Sequence, residues 1–199
     1  MNSRKLKIDI KKYKILKQIG SGSYGSVYSV QNKSTKEIYA AKVINFQGDK
    51  NAYKKMINRE IGNLIRCQHS TIIKFIGYSL KDFLKQDNVT IFTELASKGS
   101  LAKILQDIQC SLVEHEYDNT TRQKILIGIA RGMMHLHQHQ TIHRDLKPGN
   151  ILLDDDFNPY ITDFGLSKLY KTKTTMNKTQ TICGTSIYMA PEIIENKPY

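Results

Sequence analysis

No apolar run in this chain approaches the length of a membrane-spanning helix. The stretch Met1–Lys12 is polar and basic and lacks the apolar core of a secretory signal. Cysteine is scarce: Cys67, Cys110 and Cys183 are odd in number, far apart, and without histidines at zinc-site spacing. This excludes a disulfide framework and a structural zinc site, and it points to a reducing, intracellular setting. The four Asn-x-Ser/Thr triplets, Asn177-Lys178-Thr179 among them, are then chance matches. Internal repeats and low-complexity linkers are also missing. Acids are few: 18 Asp and Glu stand against 30 Lys and Arg, a net charge of +12. The first 17 residues concentrate that excess, with seven basic residues and the single acid Asp9. A basic run of this kind suits nucleic acid or an anionic membrane surface, or it is a solvated face with a frayed terminus. Since no aromatics are interleaved to stack on bases, the solvated face is the expectation and no specific nucleic-acid partner is expected.

What is present is ordinary for a globular domain: 40% apolar and 24% charged residues in 199 positions, enough for one domain or two small lobes. Residues 13–19, the run containing Val27, Tyr28 and Val30, and Ile38–Ile44 read as strands, with a polar turn at Asn32–Lys36. From about Asn51 to Cys67 the period changes, and Tyr53, Ile57, Ile61, Leu64 and Ile65 mark one face of a helix. Val89–Leu95 is a further strand. Ile125, Ile129, Met133 and Leu136 mark a second helix over 121–139 with a polar far side, and loops rich in His, Asp, Pro and Gly follow. The fold class expected is α+β in two lobes, joined near Ala96–Ser100.

Three features carry chemistry. The first is Gly20-Ser21-Gly22-Ser23-Tyr24-Gly25-Ser26-Val27, where missing Cβ atoms let backbone N–H groups approach phosphate oxygens. A dinucleotide-binding domain shares the spacing, but it needs a helix directly after the glycines, and here another strand follows. The second is Lys42. Strand alternation puts Ala40 and Lys42 on one face, a small residue and a cation suited to a flat base beside anionic phosphates, although a lone lysine also reads as a surface residue. The third is Glu60, which borders the buried helical stripe, where a carboxylate is costly unless paired; Lys42 is the available cation.

The second half holds His143-Arg144-Asp145-Leu146-Lys147-Pro148-Gly149-Asn150, then Asp163-Phe164-Gly165, then Ala190-Pro191-Glu192. In this order, with the glycines, Lys42 and Glu60 upstream, these stretches resemble the catalytic loop, metal-binding loop and Ala-Pro-Glu motif of the protein kinase family. The resemblance runs from about Tyr13 to the end. It implies a bilobal kinase-like fold, with an N-lobe of antiparallel sheet plus one helix over 13–96. A partial, mostly helical C-lobe over 97–199 and a basic segment over 1–12 complete the division.

What the resemblance implies for the site is as follows. Asp145 orients the substrate hydroxyl and accepts its proton, while Asn150 and Asp163 hold Mg²⁺. Lys42, held by Glu60, neutralises the ATP phosphates, and the loop of Gly20, Ser21, Gly22 and Gly25 covers them. Val27, Ala40 and Leu152 contact the adenine, and the backbones of Glu94 and Ala96 read its edge. Lys147 and Thr185 resemble the Ser/Thr-specific pattern, so the partners expected are ATP and proteins bearing Ser or Thr. Gly99-Ser100-Leu101 and the run Ile73–Gly77 look closer to the tyrosine-kinase-like branch. The segment Leu166–Tyr188 would be the activation loop, with Thr179 or Thr181 phosphorylated and docked on Arg144; a flexible basic loop is the plainer alternative. His135, His137 and His139 alternate, which is expected to spread them over different faces of a helix, and Cys183 is expected to be a buried filler. The chain ends at Tyr199, before the helices that floor the family's larger lobe. The alternative expectation is therefore an inactive ATP-binding or scaffold fragment. Nothing in the sequence marks an oligomeric state.

Overall fold

A computed structural model describes residues 6–22, 25–45, 49–110, 117–164, 167–169 and 185–195, which divide into two compact units. The first comprises residues up to Ile61 together with Lys74–Leu95, and the second Gly62–Ile73 together with residues from Ala96 onward.

The first unit is built on a five-stranded antiparallel sheet of order β1-β2-β3-β5-β4, with β1 Tyr13–Gly22, β2 Gly25–Asn32, β3 Ile38–Ile44, β4 Phe75–Ser79 and β5 Thr90–Glu94. Side-chain alternation splits it into two faces. Val30, Ala41 and Phe92 form a fully buried cluster, covered by Ile8, Ile10, Tyr13, Tyr28, Tyr39, Ile76 and Phe83. Burying a side chain the size of Phe92 contributes about 1.5–3 kcal/mol. The opposite face carries Val27, Lys42 and Ile91 in one cross-strand row and Ser29, Ala40 and Thr93 in the next. Helix α1, Lys50–Arg66, begins in this unit, and the division between units falls inside it. The Tyr53 hydroxyl donates to Ile44 O (3.1 Å) and accepts from Val89 N–H (2.9 Å), tying the helix to the sheet.

Two sequence expectations change here. Residues 6–12 are not a frayed basic terminus: Ile8 N–H donates to Tyr78 O (2.8 Å), Lys7 bridges to Tyr78, and Ile8 and Ile10 pack on the core cluster. Their apolar residues alternate with the charged Lys7 and Asp9, so a charge count alone hid them. Strand β4 was not anticipated either, because its apolar pattern is broken by Gly77 and Tyr78.

The glycine-rich stretch is a β-hairpin, with Gly22 opposite Gly25. Gly25 has φ +143°, and a Cβ added there would lie 1.9 Å from Val43 O. Gly25→Ala is therefore expected to cost about 2–5 kcal/mol, from strain plus overpacking. At Gly20 the nearest atom to an added Cβ is 3.8 Å away, and Gly20→Ala should shift stability by no more than about 1 kcal/mol. Comparing the two thermal unfolding midpoints checks this; equal midpoints would reject the steric account.

In the second unit α2, Leu101–Gln109, is capped by Ser100, whose Oγ accepts from Lys103 N–H (3.3 Å). Helix α3, Asn119–Gln138, is capped by Asp118, whose Oδ1 accepts from Thr121 N–H (2.7 Å). The short strands β6 Gly99–Ser100, β8 Ile151–Leu153 and β9 Pro159–Ile161 form one antiparallel sheet, and β7 Thr141–Ile142 pairs with β10 Lys168–Leu169. Helix α4 covers Pro191–Ile194. The most buried positions of α3 include Gly128 and Gly132 beside Ile125 and Leu136. An added Cβ would meet Pro159 Cγ at 2.3 Å and Ile161 Cδ1 at 2.7 Å, so the helix lies directly on β9. Its far side is not wholly polar: Leu126, Ile127 and Met134 are exposed. His135 and His139, four residues apart, share a face, with ring centroids 4.2 Å apart, and His69 stacks on His135 at 4.7 Å. This corrects the expectation that the alternating histidines spread apart, since a spacing of four returns to the same side of a helix.

Candidate active site

In the first unit, Lys42 extends from the central strand β3 and meets α1, where its Nζ lies 2.9 Å from Glu60 Oε1. Glu60 is 4% exposed. The pair is fixed from both sides, by strand alternation for Lys42 and by the helical stripe of Ile57, Glu60 and Leu64 for the carboxylate. Gly20, Val27 and Lys42 lie on one face through the pairs Gly20–Val27 and Val27–Lys42, and Ala40 sits two residues along. Ser21 pairs with Ser26 at the end of the hairpin. Glu94 closes β5, and its Oε1 accepts from Lys74 N–H (2.8 Å).

In the second unit, Ala96 is buried and Leu152 is half-buried on β8, opposite Ser100 and Tyr160. Asp145 stands in the loop between α3 and β8, and each of its carboxylate oxygens accepts two hydrogen bonds. Oδ1 accepts from Thr185 N–H and Thr185 Oγ1, both at 3.0 Å. Oδ2 accepts from Asn150 Nδ2 (2.9 Å) and Lys147 Nζ (3.0 Å). Lys147 Nζ also donates to Thr185 Oγ1 (2.6 Å). Burial by itself would raise the Asp145 carboxyl, but the bonds from Lys147, Thr185 and Asn150 outweigh it and hold the group below its ordinary range. A cavity of about 240 Å³ adjoins it, lined by Arg144, Asp145, Thr185, Met189 and Ile193 among others.

Arg144 and Asp163 have φ of +68° and +65°. For such residues this region costs about 1–3 kcal/mol and persists only where the surroundings over-determine it. His143 supplies part of that determination. It is 1% exposed; its Nε2–H donates to Thr162 O (2.8 Å) and its Nδ1 accepts from Asp145 N–H (3.3 Å). A carbonyl only accepts and a backbone N–H only donates, so the ring is held in the neutral Nε2-protonated form.

Burial is the largest influence on His143 and lowers its proton affinity; His135 is lowered too, by burial and then by the neighbouring His139 and His69 rings. The unfolded chain takes up these protons near the ordinary histidine value of about 6.5. Stability from this source is therefore full above that pH and is lost as pH falls toward the lower folded values. Urea unfolding at pH 7.5 and 5.5 should show a lower midpoint at 5.5; an unchanged or higher one would contradict the burial argument.

The donors in this unit suit a hard cation. Nδ2 of Asn150 faces Asp145 O (2.7 Å) and Asp145 Oδ2, both acceptors, which leaves the amide oxygen Oδ1 for an ion. Thr162 N–H donates to Asn150 O (3.0 Å), bringing the Asp163 turn against Asn150. An amide oxygen and a carboxylate are oxygen ligands of the kind a hard divalent cation takes. Among the described residues no cluster of three or more His, Cys, Asp and Glu is arranged to hold a metal ion.

In the sequence Thr185 marks only specificity, yet in the fold it holds Asp145 from 40 residues away. Only the motif Gly-Thr-Ser ahead of Ala-Pro-Glu hinted at it. Asn63 and Ser167, joined by a buried hydrogen bond, carried no signal at all. Gly165, Cys183, Thr179, Thr181 and most of the expected activation loop lie outside the described residues.

Comparison with protein families matches residues 13–199 to the protein kinase domain. "Serine/threonine-protein kinase 1" of Arabidopsis thaliana is 33% identical over 94% of this chain and 21% of its own length. "Cysteine-rich receptor-like protein kinase 5" of the same plant is 33% identical over 91% of this chain and 26% of its own. "Serine/threonine-protein kinase dst2" of Dictyostelium discoideum is 33% identical over 93% and 15%. The chain thus spans about a quarter or less of these relatives.

Proposed function

This chain belongs to the protein kinase domain family, and from that premise we propose that it transfers the γ-phosphoryl group of ATP to Ser or Thr side chains of protein substrates. The observation that carries the proposal is the set of four donors converging on Asp145, two of them from Thr185 and one from Lys147. A carboxylate so held remains ionised at neutral pH. It is too weak a base to remove a hydroxyl proton early, so its work is to orient the hydroxyl and take the proton as the bond to phosphorus forms. Lys147 adds a positive charge beside the same oxygen, where it would meet the transferred phosphate.

Asn150 and Asp163 would hold Mg²⁺, which when bound neutralises charge on the phosphate oxygens. In the first unit Lys42, steadied by Glu60, would face the phosphates, and the hairpin of Gly20, Ser21, Gly22 and Gly25 would present backbone N–H groups to them. Val27 and Ala40 offer small apolar surface for adenine on that sheet face. Leu152 is assigned to the same base, and Glu94 and Ala96 to its edge. Among the described residues no helix is long and apolar enough to cross a membrane; the place proposed for the domain, inside the cell, rests on the scarce, unpaired cysteines.

The test is transfer from labelled ATP with Mg²⁺ to a generic Ser/Thr protein, using the full chain beside an Asp145→Asn control. Transfer by the first and not the second supports the reading. Label on tyrosine alone, or transfer by both, would count against it.

A further inference from the structure

Two polar side chains occupy the buried stripe of α1, where an apolar residue would cost less. One is Glu60, paired with Lys42. The other is Asn63, 3% exposed. Both side-chain partners described for it lie, like Asn63 itself, in the second unit. Its Oδ1 accepts from Arg66 Nη2, and its Nδ2 donates to Ser167 Oγ (2.6 Å). Ser167, itself 0% exposed, donates its hydroxyl proton to Phe164 O (2.6 Å).

We propose that Asn63 and Ser167 are positioning residues for Asp163, their relay fixing the peptide that follows it and so the direction of its carboxylate toward a divalent cation. The proposal rests on the phosphotransferase reading for the identity of the ion.

The peptide that precedes Asp163 is already held twice: Thr162 N–H donates to Asn150 O (3.0 Å) and Thr162 O accepts from His143 (2.8 Å). On the other side, Phe164 O accepts from Ser167 N–H (3.1 Å) and from the Ser167 hydroxyl. Phe164 is fully buried, with its ring 5.3 Å from that of His143. Asp163 therefore sits at φ +65° between two clamped peptides. The order of the relay follows from its chemistry. A serine hydroxyl has one proton, spent on Phe164 O, so its oxygen is the acceptor and Asn63 must present its NH₂. The guanidinium of Arg66 meets the amide oxygen and fixes that orientation. Each bond polarises the next in a water-poor setting. Without the relay, the Phe164 carbonyl keeps one backbone donor, and the clamp on the peptide that follows Asp163 is weakened.

Outer partners of metal ligands are typically worth about 10–100-fold in metal affinity. Ser167→Ala removes a single oxygen, and Asn63→Leu replaces the amide with an apolar side chain of similar size. In the full chain, with an unhydrolysable ATP analogue, Mn²⁺ binding followed by electron paramagnetic resonance should weaken by about 10-fold in each variant. The double variant should be no worse than either single one, because both act through one bond. A dissociation constant within twofold of the unaltered chain, or additive losses, overturns the proposal. Should Asn63→Leu fail to fold, Ser167→Ala decides alone. Absence of Mn²⁺ binding by the unaltered chain would sink the phosphotransferase reading instead. The relay is then judged by amide exchange over residues 160–164, which must quicken in Ser167→Ala; unchanged exchange overturns it.

Discussion

Replacing Asp145 by Asn is expected to lower kcat by about 10²–10⁴-fold, the range for losing a positioned proton acceptor. The structure adds a second consequence. Both carboxylate oxygens are surrounded by donors, Thr185 N–H and Oγ1 on one and Asn150 Nδ2 and Lys147 Nζ on the other. An amide has only one oxygen, so its NH₂ must face a donor pair in either orientation. Turned toward Thr185, it meets a backbone N–H and a hydroxyl oxygen already accepting from Lys147. The variant should therefore also lose about 1–3 kcal/mol of stability. Rate and unfolding midpoint measured on the same preparation check both halves. A slow enzyme of undiminished stability would keep the catalytic role and refute the account of the donors.

Lys42→Met is expected to lower transfer by about 10²–10³-fold, as for loss of one preorganised charge at a transition state. It should also destabilise the first unit. Glu60 is 4% exposed and would lose the cation 2.9 Å away, a loss of about 1.5–3 kcal/mol for a hydrogen bond to a charged group. Lys42 keeps 22% of its side chain exposed, which screens the pair and argues for the lower part of that range. A Glu60→Gln change in the Lys42→Met background should restore stability without restoring transfer, because a neutral amide is cheaper to bury than a carboxylate. Recovery of transfer would mean that Lys42 serves only the fold. Thermal unfolding alongside labelled-phosphate incorporation distinguishes these outcomes.

Strands β2 and β3 and helices α1 and α3 were legible because each has a long, regular apolar period. Ile38–Ile44 was read with its observed ends, and α1 to within a residue. Strand β4 and helix α2 were not, since five residues interrupted by Gly77, and nine residues opening on a polar cap, offer too short a period to register. The glycines of α3 escaped for a different reason. Hydropathy marks what a side chain gains by burial, whereas Gly128 and Gly132 are buried because a strand needs the space.

The sequence by itself determined which chemistry the chain is equipped for. Asp145, Lys147, Asn150 and Asp163 stand within short, ordered motifs, and Lys42 and Glu60 are marked by strand and helix periods, all of which survive in one dimension. Only the tertiary structure decided what holds those groups in place. Thr185 reaches Asp145 across 40 residues, and Asn63 reaches Ser167 across 104. Bonds between single polar atoms at such separations leave no periodic or compositional trace, because any buried donor can serve an acceptor that the fold brings within 3 Å.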